Sequence, residues 1–170
     1  MKFRYLSFFN LIPLTLLLLS SCATTNVQPQ KTQLQIREFQ TRTFDVSDSK
    51  LVMKAMINVL QDDGYIIENA NADLGLITAS KETDIESGWQ KFFATLGEGN
   101  QARWSKNFII ESSSNISQFG NQTKVRVNFR GRILDNRGGI LEVSQIEDEQ
   151  FYRDFFSRVD KAIFIQKENI

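Results

Sequence analysis

The clearest pattern in the chain is an alternation of apolar and polar residues over residues 124–135. Successive side chains of a strand point to opposite faces, so a period of two predicts a strand with one buried and one solvent-facing side. The expected buried side chains are Val125, Val127, Phe129 and Ile133, and the expected solvent-facing ones are Lys124, Arg126, Asn128, Arg130 and Arg132.

Two other segments have the helical period. Apolar residues recur every three or four positions over residues 51–63 and 148–166, which predicts two amphipathic helices. Their apolar positions are Leu51, Val52, Ala55, Met56, Ile57, Val59 and Leu60 in the first, and Tyr152, Phe155, Phe156, Val159 and Ile163 in the second. Asp45, Ser47 or Asp48 can cap the first helix through a side-chain oxygen, and Gly64 suits its end.

Shorter runs rich in β-branched and aromatic residues predict the remaining strands. They cover residues 36–44, 65–69, 74–80, 107–117 and 140–146. The expected fold class is therefore α+β: an antiparallel sheet of about six strands packed on two helices, in the order β-α-β-β-insertion-β-β-β-α. We assign this single domain to residues 36–168.

Residues 84–104 form the insertion between the two halves. Ile85, Trp89, Phe92, Phe93 and Leu96 fall on one face of a short helix, and Trp104 follows a break at Gly97 and Gly99. Two interpretations stay open: a helical insertion packed on the domain, or a mobile aromatic flap that contacts lipid or a partner protein. Because few cations lie on the polar face, a flap would suit a partner protein better than anionic lipid. The candidate partner contacts are Trp89, Phe92, Phe93 and Trp104.

The first residues are typical of a bacterial lipoprotein signal peptide. Lys2 and Arg4 precede an apolar run over residues 11–19, which is shorter than the roughly 20 residues that span a bilayer. Leu19-Ser20-Ser21-Cys22 looks like a lipobox, which predicts a signal peptide over residues 1–21 and lipid on the Cys22 thiol. The alternative is an ordinary signal peptide followed by an accidental cysteine.

The residue after the cysteine predicts the destination. In the sorting rule of Gram-negative bacteria an aspartate there retains a lipoprotein at the inner membrane, so Ala23 favours the periplasmic face of the outer membrane. We assign residues 22–35 to the lipidated cysteine and a polar tether. Residues 23–35 reach at most roughly 45 Å when extended, so the domain is expected to stay near its membrane.

The amino-acid composition limits which catalytic and metal-binding sites the chain can form. The chain contains no histidine and one cysteine, so the commonest general base is missing and lipidation of Cys22 leaves no thiol. Asp62 and Asp63 are adjacent on a helix and point about 100° apart, which favours a solvated helix end over a catalytic pair. We therefore expect no enzymatic activity, no metal site and no cofactor. The net charge of zero does not point to a nucleic-acid partner.

The basic row of residues 124–132 has two interpretations. One is the wet face that an antiparallel sheet normally presents to solvent. The other is a surface that binds phosphate or lipopolysaccharide.

Several segments resemble a family of small, uncharacterised outer-membrane-type lipoproteins of bacteria. They are residues 40–45, 54–65, 73–81, 125–129, 151–156 and 161–164, so the resemblance covers most of residues 36–166. It implies a lipid-anchored envelope protein and brings no activity with it. The element order is also similar to the helix-grip modules of BamC, a lipoprotein of the outer-membrane assembly machinery, which is a likeness of fold alone.

The leading hypothesis is a non-catalytic binding or accessory module, anchored to the membrane by its lipid, with another envelope protein as a candidate partner. The alternative is a carrier that holds a small apolar ligand between sheet and helices. A cavity between helix 51–63 and the sheet would favour the carrier.

Overall fold

The computed structural model describes residues 31–83, 105–135 and 137–168, all within one compact unit, Lys31–Ile170. The elements in chain order are α1 (Gln33–Phe39), β1 (Thr41–Phe44), α2 (Ser49–Asp62), β2 (Ile66–Asn71), β3 (Leu76–Thr83), β4 (Ser105–Phe119), β5 (Gln122–Asp135), β6 (Ile140–Gln145) and α3 (Glu149–Lys167). The α+β class is confirmed, and the described part of the chain has three helices where the sequence predicted two.

The six strands form one antiparallel sheet in the order β1-β5-β4-β3-β2, and β6 also pairs with β5. Strand β4 pairs with β5 along the whole length of β5. Two short strands share the other edge of β5: β1 pairs with residues 123–126, and β6 pairs with residues 130–134. Residues 127–129 on that edge therefore need hydrogen-bond partners from outside the sheet.

Helices α2 and α3 cover one face of the sheet, as the two apolar periods predicted. The side chains that meet there are all at most 1% exposed: Val52, Ala55, Met56 and Leu60 from α2, Tyr152, Phe155 and Val159 from α3, and Ile77, Val125, Val127 and Phe129 from the strands. Burial of this apolar surface is the main stabilising term.

The ends of α2 also follow the sequence. Of the three candidate caps, Asp48 is the N-cap, and its carboxylate accepts hydrogen bonds from the backbone N–H groups of Lys50 and Leu51 at 2.9 and 3.1 Å. Gly64 follows the helix with a φ of +85°, a conformation that side chains other than glycine adopt only with strain.

Helix α1 corrects the prediction of a strand over residues 36–44. Thr32 and Gln35 form a capping box, in which each side chain bonds the other residue's backbone N–H. Ile36 is 1% exposed, and the Phe39 ring lies 5.2 Å from the Tyr152 ring of α3. Only residues 41–44 are a strand. Residues 33–35, which we had placed in the tether, form the first turn of α1.

The gap on the outer edge of β5 is filled from α3 and from the residue after α1. The Tyr152 hydroxyl accepts hydrogen bonds from the backbone N–H of Phe129 and from the Gln40 side-chain amide, both at 3.2 Å. The Val127 N–H donates to the Gln40 carbonyl at 3.0 Å, and the Phe129 carbonyl accepts from the Ile146 N–H at 2.9 Å. Gln40 and Tyr152 are buried, so these bonds have no ready replacement in water.

Removal of the Tyr152 hydroxyl tests whether this group satisfies the free edge of β5. Tyr152→Phe should lower the free energy of unfolding by roughly 1–3 kcal/mol, because the Phe129 N–H would stay buried without an acceptor. The matched control is Tyr65→Phe: Tyr65 is 6% exposed, but its hydroxyl bonds no described residue. The control should change stability by less than about 0.5 kcal/mol. Urea unfolding measures both variants, and equal losses would contradict the assignment.

Two buried serines lie on the helix-facing side of β4. Ser112 and Ser114 are 3% and 2% exposed, and neither hydroxyl has a hydrogen-bond partner. Ser112 stands opposite Ala79 of β3, and Ser114 stands opposite Ile77. The small serine side chains leave room for the helices that pack on this side of the sheet. An unpaired buried hydroxyl is a net cost to stability.

Removal of the Ser112 hydroxyl should therefore stabilise the domain. We expect Ser112→Ala to raise the free energy of unfolding by about 1 kcal/mol. The neighbouring Ser113 is exposed on the opposite face, so Ser113→Ala should have almost no effect. Thermal unfolding compares the two variants, and a loss of stability in Ser112→Ala alone would mean that a bound water satisfies the hydroxyl.

Candidate functional site

The face of the sheet opposite the helices is a surface of polar side chains, which we call the open face. Strand register aligns its residues in rows across β3, β4 and β5. The rows are Leu76-Asn115-Arg126, Thr78-Ser113-Asn128, Ser80-Glu111-Arg130 and Glu82-Ile109-Arg132, with Ser117 beside Lys124 at the end. Thr41 and Thr43 of β1 extend two rows past Arg126 and Lys124.

The basic row that the sequence predicted lies on this face. Lys124, Arg126 and Arg130 are exposed, and Asn128 and Arg132 are half-buried. The buried partners of the alternation are also confirmed, since Val125, Val127 and Phe129 are fully buried and Ile133 packs against the core. The sequence did not predict the hydroxyl and amide side chains of β3 and β4, which line this face together with the exposed apolar Leu76 and Phe119.

Strand pairing divides the cations of the open face into two groups. Glu111 of β4 bonds Arg132 at 2.6 Å and Arg130 at 3.4 Å, so one carboxylate serves two guanidinium groups. No described residue makes an ion pair or a side-chain hydrogen bond with Lys124 or Arg126. The surplus positive charge therefore lies at the Lys124 end of the face.

A cleft of about 260 Å³ on the helix side is lined by Asp63, Tyr65, Lys81, Phe151, Asp154 and Arg158. Lys81 donates to the Asp63 carbonyl at 2.6 Å, and Arg158 bonds the Asp63 carboxylate at 2.7 Å. Both cations thus stabilise the C-terminal end of α2, where the helix dipole is negative. Burial, reinforced by the charge of Asp63, raises the pKa of the Tyr65 hydroxyl above its ordinary value. Tyr65 stays protonated, so the cleft offers no activated group.

A second cleft, of about 400 Å³, lies between α1, β1 and α3. Two of its cations are engaged, because Arg153 bonds Glu149 and Arg42 bonds Asp160. Lys31 donates to the Glu147 carbonyl at 2.7 Å. The three cations of this cleft are thus already bonded to other groups of the protein.

The space between α2 and the sheet does not hold a ligand cavity among the described residues. Val52, Ala55, Met56 and Leu60 fill it and are completely buried. The two clefts above open at the margins of the helix layer. The packing therefore gives no support to a carrier with an apolar ligand between helix 51–63 and the sheet.

The remaining predicted sites lie outside the described residues. They are the lipidation site Cys22 and the aromatic contacts Trp89, Phe92, Phe93 and Trp104. Asp62 is exposed and Asp63 pairs with Arg158, so the two do not form a catalytic pair. Within the described ranges, no helix is long and apolar enough to cross a membrane, and no three acidic, histidine or cysteine side chains are grouped to hold a metal.

Because Lys124 and Arg126 have no described partner, we expect the fold to be stable without their side chains. The double variant Lys124→Ala/Arg126→Ala should keep its free energy of unfolding within about 0.5 kcal/mol of the parent, because neither side chain forms a contact that folding needs. Urea unfolding measures the free energy of unfolding of this double variant, of the parent and of Tyr152→Phe. A loss as large as that of Tyr152→Phe would mean that the two cations are structural.

Comparison with known proteins does not assign this chain to a family. No family model and no curated protein matches it. Similar solved structures include a DUF4468 family protein from Bacteroides ovatus, with a TM-score of 0.40 and 11% identity over 72% of this chain and 84% of that chain. They also include a TBP-like protein from Parabacteroides distasonis, with a TM-score of 0.39 and 13% identity over 72% and 90%. Likeness at this level assigns neither family nor function.

Proposed function

We propose that this protein is a non-catalytic binding or accessory module of the cell envelope, anchored by lipid on Cys22 to the periplasmic face of the outer membrane. The observation that carries the binding role is the open face. Among the described residues all the helix packing is on one side of the sheet, and the other side presents hydroxyl, amide and unpaired cationic groups to solvent, together with the apolar Leu76 and Phe119. A surface of this kind is available for contact without any change of the fold.

The anchoring part of the proposal depends on the lipobox. Leu19-Ser20-Ser21-Cys22 follows a charged and then apolar segment, and the one cysteine of the chain stands at the position that is lipidated. Several acyl chains on one residue give stable anchoring, because each buried methylene adds about 0.8 kcal/mol. The resemblance to outer-membrane-type lipoproteins supports the same location.

The non-catalytic part depends on the inventory of side chains. The chain has no histidine, and its cysteine is assigned to the anchor. The described clefts hold cations that already bond carboxylates or backbone carbonyls, and a tyrosine that stays protonated. These features favour binding over catalysis.

The anchor can be tested in cells. Cys22→Ser should abolish incorporation of labelled palmitate, since the thiol that accepts the diacylglycerol is gone. Ala23→Asp should keep the label but move the protein from outer-membrane to inner-membrane fractions on a density gradient. Palmitate incorporation that persists in Cys22→Ser would refute lipidation at this residue.

The binding role needs a separate test. A photo-crosslinking amino acid at Asn115 on the open face should form discrete adducts in living cells. The same amino acid at Lys54, exposed on α2, is the matched control and should form few. Equal adducts from both positions would remove the open face as the contact surface.

A further inference from the structure

We propose that the open face docks onto the membrane that carries the anchor, with Lys124 and Arg126 held against the phosphate groups of anionic phospholipids. This inference rests on the proposed function, because it needs the domain to be kept beside a membrane. It goes further by naming the chemistry of the contact and the orientation of the domain.

Charge complementarity is the first argument. Four cations stand on the faces of β3, β4 and β5, against two carboxylates, Glu82 and Glu111. Lys124 and Arg126 have no described partner, so both can be satisfied by phosphate oxygens, which accept hydrogen bonds from guanidinium and ammonium groups. The Thr43 hydroxyl and the Asn115 amide lie beside them and suit the same oxygens.

Segregation of charge is the second argument. The described residues together carry slightly more Asp and Glu than Lys and Arg. Because the open face has an excess of cations, the rest of the described surface is net negative. Such a molecule is oriented by an anionic surface, with the sheet towards the lipid and the helices away from it.

The composition of the face suits the boundary of a lipid bilayer. Around Lys124 and Arg126 the exposed neighbours are the polar Thr43 and Asn115 and the apolar Leu76 and Phe119, and apolar side chains beside cations bind the region where headgroups meet acyl chains. Both described clefts lie on the helix side of the sheet. The open face thus suits an extended anionic surface better than a small ligand that needs a pocket.

The proposed tether is short enough to keep the domain beside the membrane. The described domain begins at Lys31, so residues 23–30 would reach at most roughly 30 Å when extended. Such a tether would keep the local concentration of membrane surface high.

The test uses the full chain in phospholipid vesicles. A photo-crosslinking amino acid replaces Ser113 on the open face or, as a control, Ser157, which is exposed on α3. In vesicles that contain radiolabelled phosphatidylglycerol, the Ser113 position should capture several-fold more lipid than the Ser157 position. Phosphatidylcholine vesicles and high salt should remove the difference, since screening weakens exposed charges.

Charge variants identify the groups responsible. Lys124→Gln/Arg126→Gln should lower lipid capture at Ser113 several-fold, since one cation near an anionic surface contributes roughly fivefold in apparent affinity. The matched control is Lys50→Gln/Lys54→Gln, which removes two exposed cations from α2 and should leave capture unchanged.

The outcomes separate the two proposals. Equal capture from both positions, or equal losses in both charge variants, would overturn membrane docking. Loss of capture in inorganic phosphate but not in chloride of equal ionic strength would overturn it in favour of a soluble phosphate ligand, and protein adducts in place of lipid adducts in whole envelopes would favour a protein partner. Cys22 labelling with palmitate reports on the anchor alone, so docking can fail while the proposed anchoring stands.

Discussion

The backbone of β5 sets the constraint on which the rest of the structure depends. One edge of this strand is paired throughout by β4, but the other is shared by two short strands that leave residues 127–129 without sheet partners. Buried peptide groups must be satisfied, and the Tyr152 hydroxyl and the Gln40 carbonyl do so from α3 and from the end of α1. Both helices are thereby held at one edge and on one side of the sheet.

This one-sided arrangement decides what the molecule presents to its surroundings. The helix side is used up by packing, and the cations at its margins hold carboxylates and helix ends, as Arg158 and Lys81 do at Asp63. The described cations of the open face do not hold helix ends in this way. Its Glu111 forms ion pairs with Arg130 and Arg132, and the cations at the other end stay available. A neutral chain thus becomes a domain with a polar, positively charged side.

The parts of the fold that could be predicted are those in which one element buries a full apolar stripe. Helices α2 and α3 and strand β5 each bury such a stripe, so their period alone identifies them. Helix α1 was missed because it is seven residues long, buries only Ile36 fully, and packs its Phe39 ring on Tyr152, more than a hundred residues away. The signal that could have found it is Thr32-x-x-Gln35, the pattern of a capping box. The assignments of Cys22 and of the aromatic insertion stay predictions.

The sequence by itself determined the α+β class, the two long helices, the end of α2 at Gly64, and the row of basic residues on one side of β5, because these follow from local periodicity and backbone preference. Only the tertiary structure decided which cations are free. Glu111 stands opposite Arg130 through the register of β4 and β5, and a register is set by packing across the whole sheet. Within the described ranges, the same packing filled the space beneath α2 and left the other side of the sheet without a covering element, since apolar burial can be completed on one side alone.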